Sequence, residues 1–470
     1  MARHDNILLR TDSYKVSHWR QYPPDTEIVY SYFESRGGRF HDVAFFGLQY
    51  YLKRYLEGEV VTRERIDEAE ELFALHFGDR SLFHRSGWEY LLEAHGGRLP
   101  VSVRAVPEGT VVPQLNVLLT IENTDPAVPW LSNYLETLLV QVWYGSTVAT
   151  QSREMKHLIL KYLQQTGDPG LIPFKLHDFG FRGVSSVETA GVGGAAHLVN
   201  FQGTDTIEGL VVARDYYHEP MAGFSIPAAE HSTITAWGRE HEADAMENML
   251  VQFPAGLVAC VSDSFNIYEA CRDIWGGRLR DKVCARQGTL VIRPDSGDPP
   301  RVICEILPIL FDCFGGQKND KGFKVLDPHV RIIQGDGIDF DMLDRILYAM
   351  KRDGWSADNI AFGSGGGLLQ RLNRDTLKFA FKCSAVRRAG QWHDVYKSPI
   401  TDRGKISKQG RLKLVSVEDS HGKTYKTVRQ NEPGDDELVE VFRDGELLRD
   451  WTFAEVRARA EATPRGEAAP

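Results

Sequence analysis

Ile360-Ala361-Phe362-Gly363-Ser364-Gly365-Gly366-Gly367-Leu368-Leu369-Gln370-Arg371-Leu372 runs from a short apolar segment, through four glycines around one serine, into a helical start. Strand, polar turn and helix in that order make one unit of a parallel sheet. The same order recurs upstream. Val330 to Ile333 leads into Gln334-Gly335-Asp336-Gly337, and Thr289 to Ile292 into Arg293-Pro294-Asp295-Ser296-Gly297. Leu257 to Val261 leads into Ser262-Asp263-Ser264, and Phe174 to Leu176 into His177-Asp178-Phe179-Gly180. Crossovers of one hand bring all these turns to the carboxyl edge of the sheet, where such folds place their sites. The number of units, with chain to spare between Phe201 and Ser232, favours a closed or nearly closed α/β barrel over an open sheet.

The turns carry the chemistry. Glycines let backbone amides approach an anion closely, and a following helix turns its unsatisfied N–H groups toward it, so Gly363 to Gly367 reads as a phosphate cradle. No G-x-G-x-x-G opens a βαβ unit near the amino terminus and no G-x-x-x-x-G-K-[ST] occurs, which disfavours dinucleotide and P-loop folds and leaves a sugar phosphate. Asp295 and Asp336 are suited to accept hydrogen bonds from ribose hydroxyls, or to share Mg²⁺ with substrate phosphates. Gly335 and Gly337 let the chain pass close to the sugar. Arg182 and Arg293 offer forks for anions, diphosphate in particular. Phe179 offers a face for a flat ring, and Asp205, in Gly203-Thr204-Asp205-Thr206, offers a carboxylate.

Gly223 to Gly238 holds one histidine, His231, between Glu230 and the hydroxyls of Ser232, Thr233 and Thr235, among small and apolar residues. A histidine so placed can serve as general base, as nucleophile toward a phosphoryl group or as a phosphate ligand. Taken alone it is more often structural.

The first third reads as mixed α and β. Asn6 to Tyr14 is an apolar run followed by turn formers, so Asp12 and Tyr14 read on these residues as a cap and a packed aromatic. Glu27 to Phe33 alternates as a strand and ends near Arg36, beside Gly37 and Gly38. Helical spacing fills Phe45 to Phe83 and Trp130 to Tyr162, with β-like runs at Val101 to Val106 and Val117 to Ile121. After Phe379 the chain turns β-rich and basic, at Phe379 to Val386, Val395 to Lys397 and Arg411 to Val417, with Lys382, Lys397, Lys405 and Lys408 among these strands. The organisation expected is an α+β region over 1–145, the barrel over 146–385, a β-rich segment over 386–460 that packs with the first region, and a disordered tail over 461–470 rich in Ala, Glu and Pro.

Composition is that of an ordinary soluble globular chain: 470 residues, 42% hydrophobic and 26% charged. The formal charge of −10 gives no general attraction to nucleic acid or anionic membrane, so phosphate binding must be local. Six cysteines without a C-x-x-C pair fit a reducing cytoplasm better than a zinc knuckle or a disulfide framework. The amino terminus lacks the apolar core of a signal peptide, and no run reaches the length of a membrane span.

The motifs resemble, in order and over nearly the whole chain, the nicotinamide phosphoribosyltransferase family. They are Asn6-Ile-Leu-Leu, Thr11-Asp-Ser-Tyr-Lys15, Lys175-Leu-His-Asp-Phe-Gly180, Arg182-Gly-Val-Ser-Ser186, Gly203-Thr-Asp-Thr206, Pro227-Ala-Ala-Glu-His-Ser-Thr233, Ile292-Arg-Pro-Asp-Ser-Gly297, Gln334-Gly-Asp-Gly337 and Phe362-Gly-Ser-Gly-Gly-Gly367. The resemblance implies a type II phosphoribosyltransferase α/β barrel with flanking α+β elements, working as a homodimer with shared sites. Its substrates would be nicotinamide, phosphoribosyl pyrophosphate and ATP, with Mg²⁺. Phe179 and, from the partner subunit, Tyr14 would sandwich the pyridine ring, with Asp12 among the substrate-binding positions. Asp205 would accept the amide N–H, and Arg293 would approach the amide side. Asp295, Gly335 and Asp336 would hold the ribose; Gly365, Gly366 and the partner's Arg374 would hold the 5′-phosphate. Arg36, Arg182, Lys382, Lys397 and Lys405 match diphosphate positions. His231, flanked by Glu230, matches a histidine phosphorylated by ATP, and Asp295 stands with them at the reacting centre.

Asp205 also weighs on the acceptor: a carboxylate can bind the amide of nicotinamide but repels nicotinate. A nicotinate-specific enzyme needs a cationic grip on the ring carboxylate, and a non-catalytic binding protein would not need His231, Asp295 and the cradle together. Ala259 stands where some relatives carry serine, which removes one hydroxyl from the amide pocket.

Overall fold

The apolar runs before the polar turns form six parallel strands in the computed structural model, which describes residues 6–401, 406–419 and 422–462. They are β1 (Leu176–Asp178), β2 (Gly203–Thr204), β3 (Val258–Val261), β4 (Leu290–Arg293), β5 (Val330–Gln334) and β6 (Ile360–Ser364). Their order in the sheet is β2-β1-β6-β5-β4-β3. The segment between the second and third strands joins the two edges: Phe224 bridges Gly203 and Ala228 bridges Ala259, both in parallel sense. Backbone bonds from Thr204 N–H to Phe224 O, 3.0 Å, and from Ala229 N–H to Ala259 O, 2.9 Å, close the ring.

Strands buried on both faces read as continuous apolar runs, and these do. Ala259, Val291 and Ile333 form the ring's interior with Phe179, Ile226 and Ala361 packed on them, while the alternate residues Val258, Cys260, Leu290, Ile292, Ile332 and Phe362 are fully buried on the other face. Two crossover helices start on an aspartate: Asp298 accepts from Arg301 N–H at the head of Pro299–Phe314, and Asp339 from Met342 N–H, 2.9 Å, at the head of Phe340–Arg352.

The chain divides into two units. The described residues of Gln151–Arg214 and Pro220–Leu372 make the barrel unit; those of Met1–Thr150, Asp215–Glu219 and Asn373–Pro470 make the other. The second of these is built on a seven-stranded antiparallel sheet in the order Gln391–Asp394, Phe379–Arg388, Thr26–Ser35, Val117–Asn123, Val101–Ala105, Val439–Arg443, Glu446–Leu447.

Several boundaries differ from those expected. Phe379–Arg388 pairs with Thr26–Ser35, Thr26 facing Arg388, so the barrel unit ends at Leu372 rather than at 385. The helix Val142–Thr166 runs across the expected break at 145. Val395 to Lys397 is irregular; the strand there is Gln391–Asp394, the second arm of a hairpin with Phe379–Arg388. The last helix, Phe453–Ala462, takes in the first two residues of the expected tail, and residues 463–470 lie outside the described residues. No helix among the described residues is long and apolar enough to cross a membrane.

Candidate active site

The strand-end turns of β1, β4, β5 and β6 converge on one cavity of about 270 Å³. Its walls are Phe179, Arg182 and Gly183 after β1, Arg293 and Asp295 at β4, Gly335, Asp336, Gly337 and Ile338 after β5, and Gly365, Gly366, Gly367 and Arg371 after β6. Eight residues singled out from the sequence, Phe179, Arg182, Arg293, Asp295, Gly335, Asp336, Gly365 and Gly366, thus share one wall. Asp205, Glu230 and His231 stand outside that lining.

Close approach, rather than flexibility, explains the glycines of the cradle. A Cβ on Gly363 would lie 1.9 Å from Phe179 Cε2, and one on Gly367 would lie 2.3 Å from Ile338 O, whereas one on Gly366 would meet nothing within 4 Å. Gly366 therefore opens on the cavity. Phe179 is fixed by its own N–H donating to Ser364 O, 3.0 Å, and Ser364 Oγ donates to Ile338 O, 2.7 Å.

Arg293 donates through Nη2 to Asp295 Oδ2 at 3.2 Å, while its buried Nε has no partner, a donor held ready for a ligand. Asp295 and Asp336 are the carboxylates of the wall. Among the described residues no group of three or more His, Cys, Asp or Glu side chains that could hold a metal ion occurs.

His231 begins a five-residue helix, His231–Thr235, with Glu230 at its cap position. Its Nε2 lies 2.9 Å from Asp263 Oδ1, and its side chain is 45% exposed against 4% for Asp263. Asp263 Oδ2 accepts from Asp295 N–H, 3.0 Å, and from Ser296 Oγ, 2.5 Å. One buried carboxylate thus ties the histidine to the turn that presents Asp295. Glu230 accepts from Ser232 Oγ and does not touch His231's partner. Asp205, exposed at the end of β2, accepts from Ser225 Oγ, and its N–H donates to Asp178 O, 2.9 Å.

The remaining candidates belong to the antiparallel unit. Tyr14 is 58% exposed, its ring edge-on to His18 at 5.1 Å, so it is not the packed aromatic its neighbours in sequence suggest. Asp12 occupies a cap position without making the capping bond; its carboxylate accepts from Thr137 Oγ1 instead, 2.7 Å. Arg36 reaches Glu34 at 2.9 Å and keeps Nη2 buried without a partner. Lys382 lies opposite Tyr32 in the sheet. Burial lowers its pKa, the nearby Glu136 opposes that, and Arg36, Lys397 and Arg374 push it down further. Four cations of this unit, Arg36, Arg374, Lys382 and Lys397, therefore share one local field. Lys405 lies outside the described residues.

Asp263 is the functional residue that the sequence did not single out. Its signal was present, an aspartate in the polar turn directly after an apolar strand, but nothing in the linear pattern joins it to His231 thirty-two residues earlier.

Two solved structures share the fold: the nicotinate-nucleotide pyrophosphorylase of Pyrococcus furiosus, with a TM-score of 0.60 at 17% identity over 98% of this chain and 96% of that one, and human nicotinic acid phosphoribosyltransferase, 0.60 at 16% over 96% and 93%. The fold is that of the type II phosphoribosyltransferases. In sequence, residues 6–103 match the N-terminal domain of nicotinamide phosphoribosyltransferase and residues 174–446 match the nicotinate phosphoribosyltransferase (NAPRTase) family. A nicotinamide phosphoribosyltransferase of Xanthomonas campestris pv. campestris is 54% identical over 97% of this chain and 98% of its own, and one of Acinetobacter baylyi is 32% identical over 97% of each. The chain belongs to the nicotinate phosphoribosyltransferase family, on its nicotinamide phosphoribosyltransferase branch.

Proposed function

We propose that the chain transfers the phosphoribosyl group of phosphoribosyl pyrophosphate to nicotinamide, giving nicotinamide mononucleotide and pyrophosphate for NAD salvage, and that ATP hydrolysis drives the step through a phosphohistidine at His231. The observation that carries this reading is the single cavity in which a ring platform, two strand-end carboxylates, three arginines and a glycine cradle meet.

Phe179 would hold the pyridine ring, with Asp205 toward its amide. Asp295 and Asp336 would accept from the ribose hydroxyls, and the amides around Gly365 and Gly366 would take the 5′-phosphate. The ring nitrogen's lone pair forms the new bond to the anomeric carbon as the bond to pyrophosphate oxygen breaks, and pyrophosphate leaves with that electron pair. Positive charge builds at the anomeric carbon, where neighbouring carboxylates stabilise it. Arg182 and Arg293 would grip the diphosphate; Mg²⁺, when bound, offsets its charge.

Asp263 holds Nε2 of His231, which leaves Nδ1 without a partner among the described residues and suited to accept a phosphoryl group. In a homodimer, the exposed Tyr14 would stack on the ring in the partner's site, and Arg374 would reach the partner's 5′-phosphate. The cations Arg36, Lys382 and Lys397, with Lys405, would serve the diphosphate. Six unpaired cysteines support a cytoplasmic setting.

Chromatography of products from phosphoribosyl pyrophosphate, Mg²⁺ and nicotinamide, with and without ATP, tests the reading. The expected result is nicotinamide mononucleotide whose yield rises with ATP, a rise abolished in His231→Ala while slow synthesis persists. No mononucleotide under any condition contradicts the transfer; an ATP gain that survives His231→Ala contradicts the phosphohistidine.

A further inference from the structure

One buried acid beside the cavity takes no part in the chemistry above. Asp178, the last residue of β1, is fully buried. Its Oδ1 accepts from Gly180 N–H at 2.7 Å, which closes the turn carrying Phe179 between them. Its backbone oxygen accepts from Asp205 N–H at 2.9 Å, and the residue pairs with Thr204 of β2. Asp178 therefore contacts both turns that form the ring-binding end, the aromatic one and the acidic one.

Its second oxygen is unusual. Oδ2 is buried and completes no hydrogen bond, and the same holds for Thr206 Oγ1 on the Asp205 turn. A Cβ on Gly194 would lie 3.4 Å from Oδ2 and 3.0 Å from Thr206 Cγ2, so the helix Val187–Leu198 seals both groups from above. An ionised carboxylate with an unmet oxygen in such a place is costly. Burial pushes the Asp178 carboxyl up to about 6, offset in part by the Gly180 amide and by the nearby Thr206 hydroxyl, which stops short of a full hydrogen bond, and reinforced by the Asp205 charge.

We propose that Asp178 is the positioning residue of the acceptor pocket: its side chain, touching no substrate, fixes the turn that presents Phe179, its backbone oxygen links that turn to the one that presents Asp205, and together they set affinity for the pyridine base. The proposal rests on the reading of Phe179 and Asp205 as ring contacts. It separates acceptor binding from the ribose and 5′-phosphate contacts, because the cradle, Asp295 and Asp336 lie on other turns, whereas Arg182 shares the turn of Phe179.

Asp178→Ala removes the tie to Gly180, whereas Asp178→Asn keeps that acceptor and sets an amide group before the Thr206 hydroxyl. Steady-state kinetics on the full chain should show KM for nicotinamide raised about tenfold or more in the alanine variant, with kcat near the parent value and a smaller rise in KM for phosphoribosyl pyrophosphate through Arg182 on the same turn, and rescued in the asparagine variant. Hydrogen exchange read by mass spectrometry, without substrates, should show lost protection at both the Phe179–Arg182 and the Asp205–Thr206 amides in the alanine variant alone. Equal losses for both substrates, no rescue by asparagine, or unchanged exchange overturns the proposal. A parent that turns over no pyridine base sinks the functional reading and the acceptor claim with it, while the exchange data still decide whether Asp178 couples the two turns.

Discussion

Asp178 keeps its proton up to about pH 6 in the folded chain, against 3.8 for an ordinary aspartate, so folding stability must depend on pH through it. Because the folded value is raised, the stabilisation is full below the ordinary value and is lost as pH rises through about 6. Asparagine does not titrate. The stability of Asp178→Asn relative to the parent should therefore grow between pH 4.5 and 7.5, by about 2 kcal/mol in urea denaturation. A constant difference would contradict a raised pKa. At this scale the sequence was legible for which strand-end residues share the cavity, as with Phe179, Arg293, Asp295 and Asp336. It was illegible where partners come from elsewhere in the chain: Asp263 meets His231 from the neighbouring strand end, and Tyr14 is exposed although its neighbours suggest packing.

The end of β6 and the turn after β1 fit together only because Gly363 lacks a side chain. Its missing methyl is occupied by the Phe179 ring. Gly363→Ala should displace that ring, cost about 1–3 kcal/mol of stability from overpacking, and raise KM for nicotinamide; thermal unfolding and initial rates check both, and an unaltered KM would mean that Phe179 does not hold the base. The longer strands of the ring, β3 to β6, stood out as apolar runs before polar turns. β2 and the segment Phe224–Ala229 did not, because two residues and isolated bridges leave no periodicity to detect. Val395 to Lys397 shows the opposite error, since β-forming residues there follow a hairpin rather than extend it.

At the scale of the molecule, packing of 386–460 on the first region was expected, but the strand Phe379–Arg388 was assigned largely to the barrel. Phe379–Arg388 pairs with Thr26–Ser35 across some 350 residues of sequence, and local pattern carries no record of such a partner. The resemblance, not the pattern, supplied the homodimer. If Tyr14 and Arg374 act in the partner's site, mixing refolded Arg374→Ala and Phe179→Ala variants, each weak alone, should restore roughly a quarter of parent activity, since half the dimers are mixed and each holds one intact site. No recovery from dimers shown to exchange would place both residues in one subunit's own site.

The most direct measurement offers the purified protein equal nicotinamide and nicotinate with limiting phosphoribosyl pyrophosphate, Mg²⁺ and ATP, and reads the ratio of the two mononucleotides. If Asp205, on the turn held to Asp178 beside the cavity, receives the amide, nicotinamide mononucleotide should form in large excess. Nicotinate mononucleotide as the main product would contradict it and assign the same cavity to the acid.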